Sequence, residues 1–408
     1  MVSPLYKIAL VSAAYPPYTF GGIDIQTYDL AHGLSNNGLD VTVFCGLSKK
    51  KEIIRENENL SIYRLPFFDF YPRVLWFQLM NQGLFRKEFK NFDLIHSQNT
   101  SGSIYSFFRN KTKTPWIVSF HDHQLRRLSL LLKINPLNLS LGDLTYYSMG
   151  YPLFEYLSNL EVKNADHYII CGYSGFKDFY NYNKIKQEKT TVIPNGVNPD
   201  KLENLAKLFE EKNPLIEPSN SFRLFTSGRL YTSKGIQYLI RAMPKVISVN
   251  PEVSLEIYGK GPLLPKLLTL INDLKLEKKV FCRGHVEYEE LMYKLKTCDL
   301  TVYPSLNEVG ASLSVMEAMA FGKAVVAFDY PFTREILDHS DTGYLVKPKN
   351  VDELSDAVCL LIGDKKLRER IGENARLKIL KKHNWNDVIK KYIDVYDKVI
   401  SEHKDNSK

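Results

Sequence analysis

The chain has 408 residues, 44% of them hydrophobic and 25% charged, with a formal net charge of +8. That length accommodates two domains with sizeable cores, and no run of about 18 apolar residues occurs to span a membrane. The positive excess is too thin for the clustered stripes that bind nucleic acid, so no nucleic-acid partner is expected.

The five cysteines are odd in number and form no Cys-x-x-Cys pair. They read as reduced core residues, and neither disulfides nor a metal site is expected. The first residues, "MVSPLYKIALVSAAYPP", carry one lysine and a strand-length apolar run, without a signal-peptide layout. A cytoplasmic location is therefore expected, with peripheral contact at the inner membrane face as a variant of it.

In chain order, strand-like runs are "KIALVSA" (7–13), "DVTVFCG" (40–46), "DLIHSQ" (93–98), "PWIVSFH" (115–121), "HYIICGY" (167–173) and "TTVIPNG" (190–196). The second half continues with "RLFTSGR" (223–229), "SLEIYGK" (254–260), "KVFCRG" (279–284), "DLTVYPS" (299–305) and "KAVVAFD" (323–329). Apolar residues on both faces suit buried parallel strands. Helical patterns lie between them, as in "VDELSDAVCLLIGD", where Leu354, Ala357, Val358 and Leu361 recur at helical spacing. This alternation argues for an α/β protein with parallel sheets. Two sheets are expected, with the break in the proline-rich, polar stretch 194–222. The last helix, 384–400, carries Trp385, Val388, Ile389, Tyr392 and Val395 on one stripe, and the tail 401–408 reads as disordered.

Open parallel sheets bind ligands beyond the carboxyl ends of their strands. After the first strand, Gly21 and Gly22 precede a helix; they suit either a phosphate at the helix start or a tight turn. His121 ends the fourth strand, a position for a ligand contact or for a structural histidine. After the seventh strand, "SGRLYTSKG" places Arg229 and Lys234 between two glycines. A guanidinium fork and an ammonium on one loop suit a diphosphate. Two further loops, "YGKGP" with Gly261 and "CRGH" with Arg283, suit either a nucleobase or plain turns.

The stretch "YPSLNEVGASLSVMEAMAFGKAVV" contains Glu308 in a loop and Glu317 in a helix that ends at Gly322, with Ser312 or Ser314 as its cap. Glu317 is expected in the first turns, where negative charge is favoured. The two carboxylates read either as a general acid and base or as acceptors for sugar and ribose hydroxyls.

These motifs, in this order and spacing, resemble the retaining glycosyltransferases of family 4 (glycosyl transferases group 1) over nearly the whole chain. The pieces that carry the likeness are "GGIDIQTYDLAHGLSNNGLDVTVF", "IVSFHDH", "VIPNGVNPDKL", "SGRLYTSKGIQYLIRAM", "LEIYGKGP" and "SVMEAMAFGKAVVA". The resemblance implies the GT-B fold: two facing Rossmann-like domains with an interdomain cleft and a C-terminal helix crossing back to the first domain. The implied domains are 1–198 on the acceptor side, 199–383 on the donor side, and the helix 384–400.

It also implies roles. Gly21 and Gly22 would let the donor diphosphate approach. His121 would contact the donor sugar, and Arg229 and Lys234 would hold the diphosphate. Glu317 would accept from the ribose. Glu308, beside the amides of Gly310, Ala311, Ser312 and Leu313, would bind the sugar. The family separates its two glutamates by eight residues, whereas here they are nine apart. The extra residue is read as a bulge that leaves Glu308 in place, the alternative being Val309 in the glutamate's position.

The resemblance implies no cofactor, a UDP- or GDP-linked hexose as donor, a glycan or lipid-linked acceptor, and an α-linkage formed with retention and without a metal. The apolar segment 125–157, with Arg126, Arg127 and Lys133, reads either as a core or interdomain helix or as a surface for a lipid-linked acceptor and peripheral membrane contact. The competing functions are a non-catalytic nucleotide-sugar sensor, a nucleotide-sugar epimerase and a glycoside hydrolase using Glu308 and Glu317. The basic loop argues against the hydrolase, which needs no phosphate cradle.

Overall fold

The computed structural model describes residues 6–17, 21–48, 50–66, 68, 73–121, 151–174, 186–214, 221–307 and 312–406. They form two compact units. The first contains the described residues up to 121, those of 151–195 and those from Trp385 onward, and the second runs from Gly196 to Asn384.

The first unit is built on an eight-stranded sheet of β1 (Lys7–Ser12), β2 (Asp40–Ser48), β3 (Glu52–Asn57), β4 (Leu60–Pro66), β5 (Leu94–Gln98), β6 (Trp116–Phe120), β7 (His167–Ile170) and β8 (Thr190–Val192). Its order is β3-β4-β2-β1-β5-β6-β7-β8. Successive residues alternate between its two faces: Ile8, Leu10, Val41 and Val43 enter one core cluster, while Ala9, Val11 and Phe44 enter another. Both faces are covered, which is why these strands lack a polar phase.

The second unit has six parallel strands: β9 (Phe222–Ser227), β10 (Val253–Tyr258), β11 (Val280–Gly284), β12 (Leu300–Tyr303), β13 (Val325–Phe328) and β14 (Tyr344–Val346). Their order is β11-β10-β9-β12-β13-β14. Here too Leu224, Leu255 and Val326 face one cluster, and Phe225, Tyr258 and Val325 the other. Each unit is thus an α/β layer structure with a parallel sheet at its centre, the architecture of the GT-B fold.

Two expectations are corrected. The eleven strands read from the sequence become fourteen among the described residues, and one pair, β3 with β4, is antiparallel. Strand β3 is wholly exposed, Ile53 and Ile54 included, so it carries no burial pattern. It exists because Asn57 turns the chain, accepting from the Asn59 N–H at 2.8 Å, and because β4 supplies the ladder. The stretch 194–222, within which the two units divide between Asn195 and Gly196, also holds a helix. Helix α1 (Pro199–Lys212) begins there, with Pro199 in its first turn and the Asn198 side chain accepting from the Lys201 N–H. Finally, the last helix, α2 (Trp385–Asn406), continues through most of the stretch expected to be disordered. Residues 407 and 408 lie outside the described residues.

Helix α2 crosses back onto the first unit. Trp385, Val388, Ile389, Tyr392, Tyr396 and Val399 are buried in the same cluster as Ile8, Leu30 and Val41. The approach is close at Gly33, where an added Cβ would stand 2.5 Å from Ile389 Cδ1. The Trp385 indole N–H donates to the Asp29 carbonyl at 3.1 Å.

Candidate functional site

In the second unit the loops after β9, β10 and β12 are laced together by their backbones. The Gly228 N–H donates to the Tyr258 carbonyl at 3.0 Å, and the Leu230 N–H to the Lys260 carbonyl at 2.9 Å. The Leu306 N–H reaches the Ser233 carbonyl at 2.7 Å. Two glycines make this lacing possible. Gly259 has φ 141°, and a Cβ there would lie 1.9 Å from the Gly228 carbonyl oxygen. Gly235 has φ 68°, and a Cβ would lie 1.8 Å from the Pro304 carbonyl oxygen. Only a residue without a side chain fits either place.

This rigid loop carries both predicted cations. Arg229 follows Gly228 directly, and its guanidinium stands 5.6 Å from the Tyr231 ring centroid. The stem of Lys234 runs past the same glycine, with Cε 3.8 Å from the place a Gly228 Cβ would take. Lys234 closes a short 3₁₀ turn (Thr232–Lys234), and Gly235 then caps α3 (Ile236–Val249). The structure therefore brings the two basic side chains out of one strand-end loop at the start of a helix, where an anion is favoured.

Glu317 lies in α4 (Leu313–Ala320) and is only 4% exposed. It is the helix's fifth residue, in the second turn. Ser312 is the N-cap residue in an extended conformation, but its hydroxyl does not cap, and Ser314 is inside the helix. Glu317 is held instead from another helix, α5 (Tyr288–Thr297): the Tyr288 hydroxyl donates to Oε1 at 2.7 Å. Tyr288 has only a faint sign in the sequence, an aromatic residue opening a helix with two glutamates in its first turn. Beside this pair the buried Tyr303 hydroxyl stands 3.4 Å from Ser227 Oγ. Burial, with the Glu317 carboxylate adding to it, pushes the Tyr303 phenol well above its ordinary pKa.

The other predicted residues of this unit have defined partners. Arg283 sits over the Phe281 ring and forms an ion pair with Glu256, donating from Nη2 at 2.8 Å and from Nε at 3.1 Å. Tyr258 donates to the other oxygen of that carboxylate at 2.8 Å. Gly261 packs on backbone, since a Cβ there would lie 2.4 Å from the Leu230 carbonyl oxygen. Glu308, Gly310 and Ala311 lie outside the described residues, as do Val309 and 122–150.

In the first unit, Gly21 precedes the helix Gly22–Asn36, and its N–H donates to the Asp24 carboxylate at 2.8 Å. An anion at this helix start would face that carboxylate. His121 follows β6, and its backbone N–H donates to Asn99 Oδ1 at 2.8 Å. Its Nε2 stands 2.6 Å from Gln98 Oε1 and its Nδ1 3.0 Å from Cys171 Sγ. Burial pushes the ring down to about 4, so it is neutral near pH 7. Among the described residues, no helix is long and apolar enough to cross a membrane.

Known proteins match this organisation unit by unit. Residues 20–201 match the family model "Glycosyltransferase Family 4", and residues 208–378 match "Glycosyl transferases group 1". An uncharacterised glycosyltransferase of Methanocaldococcus jannaschii is 29% identical over 400 residues, covering 96% of this chain and 97% of its own. The poly(ribitol-phosphate) α-N-acetylglucosaminyltransferase of Staphylococcus aureus is 28% identical over 170 residues, 41% of this chain and 34% of its own. HepE of Anabaena, solved in complex with UDP-glucose, superposes with a TM-score of 0.71 at 17% identity, covering 96% of this chain and 100% of that one. The chain belongs to the GT-B glycosyltransferases of family 4, its first part matching the family 4 model and its second the group 1 model.

Proposed function

We propose that this glycosyltransferase moves a hexose from a UDP- or GDP-linked donor to a glycan or lipid-linked acceptor, retaining the anomeric configuration and so forming an α-glycosidic bond. The observation that carries the reading is the laced loop bearing Arg229 and Lys234, in the same unit as a buried glutamate. A diphosphate needs fixed cations, and a ribose needs a fixed acceptor. The S. aureus relative, which by its name forms an α-linkage to a polymer, supports the α outcome and a polymeric acceptor.

In this reading the bond from the sugar C1 to the diphosphate oxygen breaks while the acceptor oxygen bonds to C1 from the same face. The acceptor's proton passes to the departing diphosphate. Arg229 and Lys234 stabilise the charge gathering there, as a metal ion does elsewhere, so transfer is expected to survive a chelator. Glu317 accepts from the ribose hydroxyls, with Tyr288 holding its carboxylate in one rotamer. Glu308 binds the sugar hydroxyls, and His121 contacts the donor sugar.

The test is a thermal-shift screen of UDP, GDP and their sugar conjugates, followed by anomer-resolved NMR of the product. A nucleotide at 100 times its Kd stabilises by about 2.7 kcal/mol. No shift with any nucleoside diphosphate, or a β-linked product, would refute the proposal.

A further inference from the structure

The first unit contains a chain of hydrogen-bonded side chains that the transfer reading leaves unexplained. It begins on α2, where Tyr396 Oη lies 2.6 Å from His96 Nδ1. His96 Nε2 lies 2.7 Å from Ser119 Oγ and 3.4 Å from Gln98 Nε2. Gln98 Oε1 lies 2.6 Å from His121 Nε2, and His121 Nδ1 lies 3.0 Å from Cys171 Sγ. His96, Ser119, Gln98, Cys171 and Tyr396 are all buried. His96 and Gln98 are two apart on β5, so they share a face of the sheet. Gln98 pairs in register with Ser119 on β6, and His121 lies just beyond that strand.

A glutamine amide has one accepting end and one donating end. With its oxygen toward His121, it requires a proton on His121 Nε2, which leaves Nδ1 to accept from the Cys171 thiol. With its nitrogen toward His96, it requires a lone pair on His96 Nε2, so His96 Nδ1–H donates to Tyr396. Turning the amide over would reverse both tautomers together. One side chain thus makes the states of the two histidines a single variable. Cys171 biases the outcome, because a thiol is a weak donor and a weaker acceptor, whereas the hydroxyls of Ser119 and Tyr396 serve in either direction.

We infer that Gln98 is a positioning residue that fixes the tautomer of His121, with Cys171 on the other ring nitrogen and with Tyr396, acting through His96, as its anchor on the C-terminal helix. Which ring nitrogen carries the proton is set by the bond the other nitrogen makes, and such supporting contacts orient functional groups. The consequence for transfer rests on the proposed placement of His121 at the donor sugar. A ring locked neutral, with both nitrogens engaged, adds no positive charge beside a carbon that itself becomes positive in the transition state.

The experiment is long-range ¹H–¹⁵N NMR of the full chain labelled at histidine, with His96 and His121 assigned by their loss in His96→Asn and His121→Asn. Native protein is expected to show His121 protonated on Nε2 and His96 on Nδ1. Gln98→Met is expected to release both rings to mixed tautomers. Tyr396→Phe conserves the packing shape, so it guards against a Gln98 variant that does not fold. It removes the acceptor for His96 Nδ1–H, and the His121 resonances are expected to move although His121 does not touch Tyr396.

Native His121 protonated on Nδ1 would overturn the inference, as would His121 signals unchanged in both variants. With a nucleotide-sugar donor, Gln98→Met is expected to lower kcat by about fivefold or more with donor KM nearly constant. Shifted tautomers with unchanged kcat would leave the lock standing and remove His121 from the donor sugar, so failure of the lock and failure of the transfer reading are told apart.

Discussion

Two glycines of the second unit isolate the role of close backbone approach. Gly235 and Gly284 both have left-handed backbones, with φ 68° and 75°. A methyl on Gly284 meets nothing within 4 Å, whereas one on Gly235 lands 1.8 Å from the Pro304 carbonyl oxygen. Gly284→Ala therefore incurs the backbone term alone, about 1 kcal/mol. Gly235→Ala carries the same term, and Pro304 must also retreat by more than ~1 Å before ordinary contact is restored. Overpacking of this kind adds about 1–3 kcal/mol, for a total of roughly 2–4 kcal/mol. The retreat also strains the Leu306 N–H bond to Ser233, which sits one residue before Lys234. Chemical denaturation followed by a probe in the second unit, together with a donor-turnover assay, reads both effects. Gly284→Ala should be mildly destabilised and fully active, and Gly235→Ala should lose at least tenfold in kcat/KM, about 1.4 kcal/mol of transition-state binding. Equal stability losses with unimpaired activity in both would refute the claim that loop lacing positions Arg229 and Lys234.

Arg229→Ala and Lys234→Ala should each lower kcat/KM by at least about tenfold in steady-state assays, and a double variant that retains activity would end their assignment to the diphosphate. Glu317→Gln should weaken binding of the bare nucleoside diphosphate and of the sugar donor alike in calorimetric titrations, whereas Glu308→Gln should affect only the sugar donor; equal losses of bare-nucleotide affinity would contradict that division. Burial holds His96 down to about 3, and His121 and His167 down to about 4, against about 6.5 in an unfolded chain. The native first unit therefore binds fewer protons than the unfolded one across this window, so its stability is complete above pH 6.5 and falls as the pH drops toward 4. Each histidine contributes up to ~1.4 kcal/mol per pH unit, on the order of 4 kcal/mol for the three between pH 6.5 and 5. A denaturation midpoint of the first unit that stays flat over that range would exclude this accounting.

Features that depend on neighbours along the chain were legible in the residues themselves. Apolar runs such as "KIALVS" and "VVAF" became buried parallel strands because period two with both faces apolar has few other solutions. Glycines after strands marked the loops, and the pairing of Arg229 with Lys234 was legible because one short turn carries both. The stripe from Trp385 to Val395 announced a helix that needs a surface to cover.

Tertiary structure decided the rest, because its causes are far apart in sequence. The exposed β3 exists only where β4 offers a ladder. Glu317 takes its hydroxyl from Tyr288, 29 residues away, and the helix periodicity of neither segment encodes that meeting. Asp24 answers Gly21 across a single helical turn, but only the folded geometry shows its carboxylate where a phosphate had been expected. Likewise, His121 read either as a strand-end ligand contact or as a structural histidine, and only the fold shows both of its nitrogens engaged, one from β5 and one from the residue after β7. A side chain's chemistry is local, but the partners that orient it and set its protonation arrive through packing, and packing is where the linear pattern stops informing.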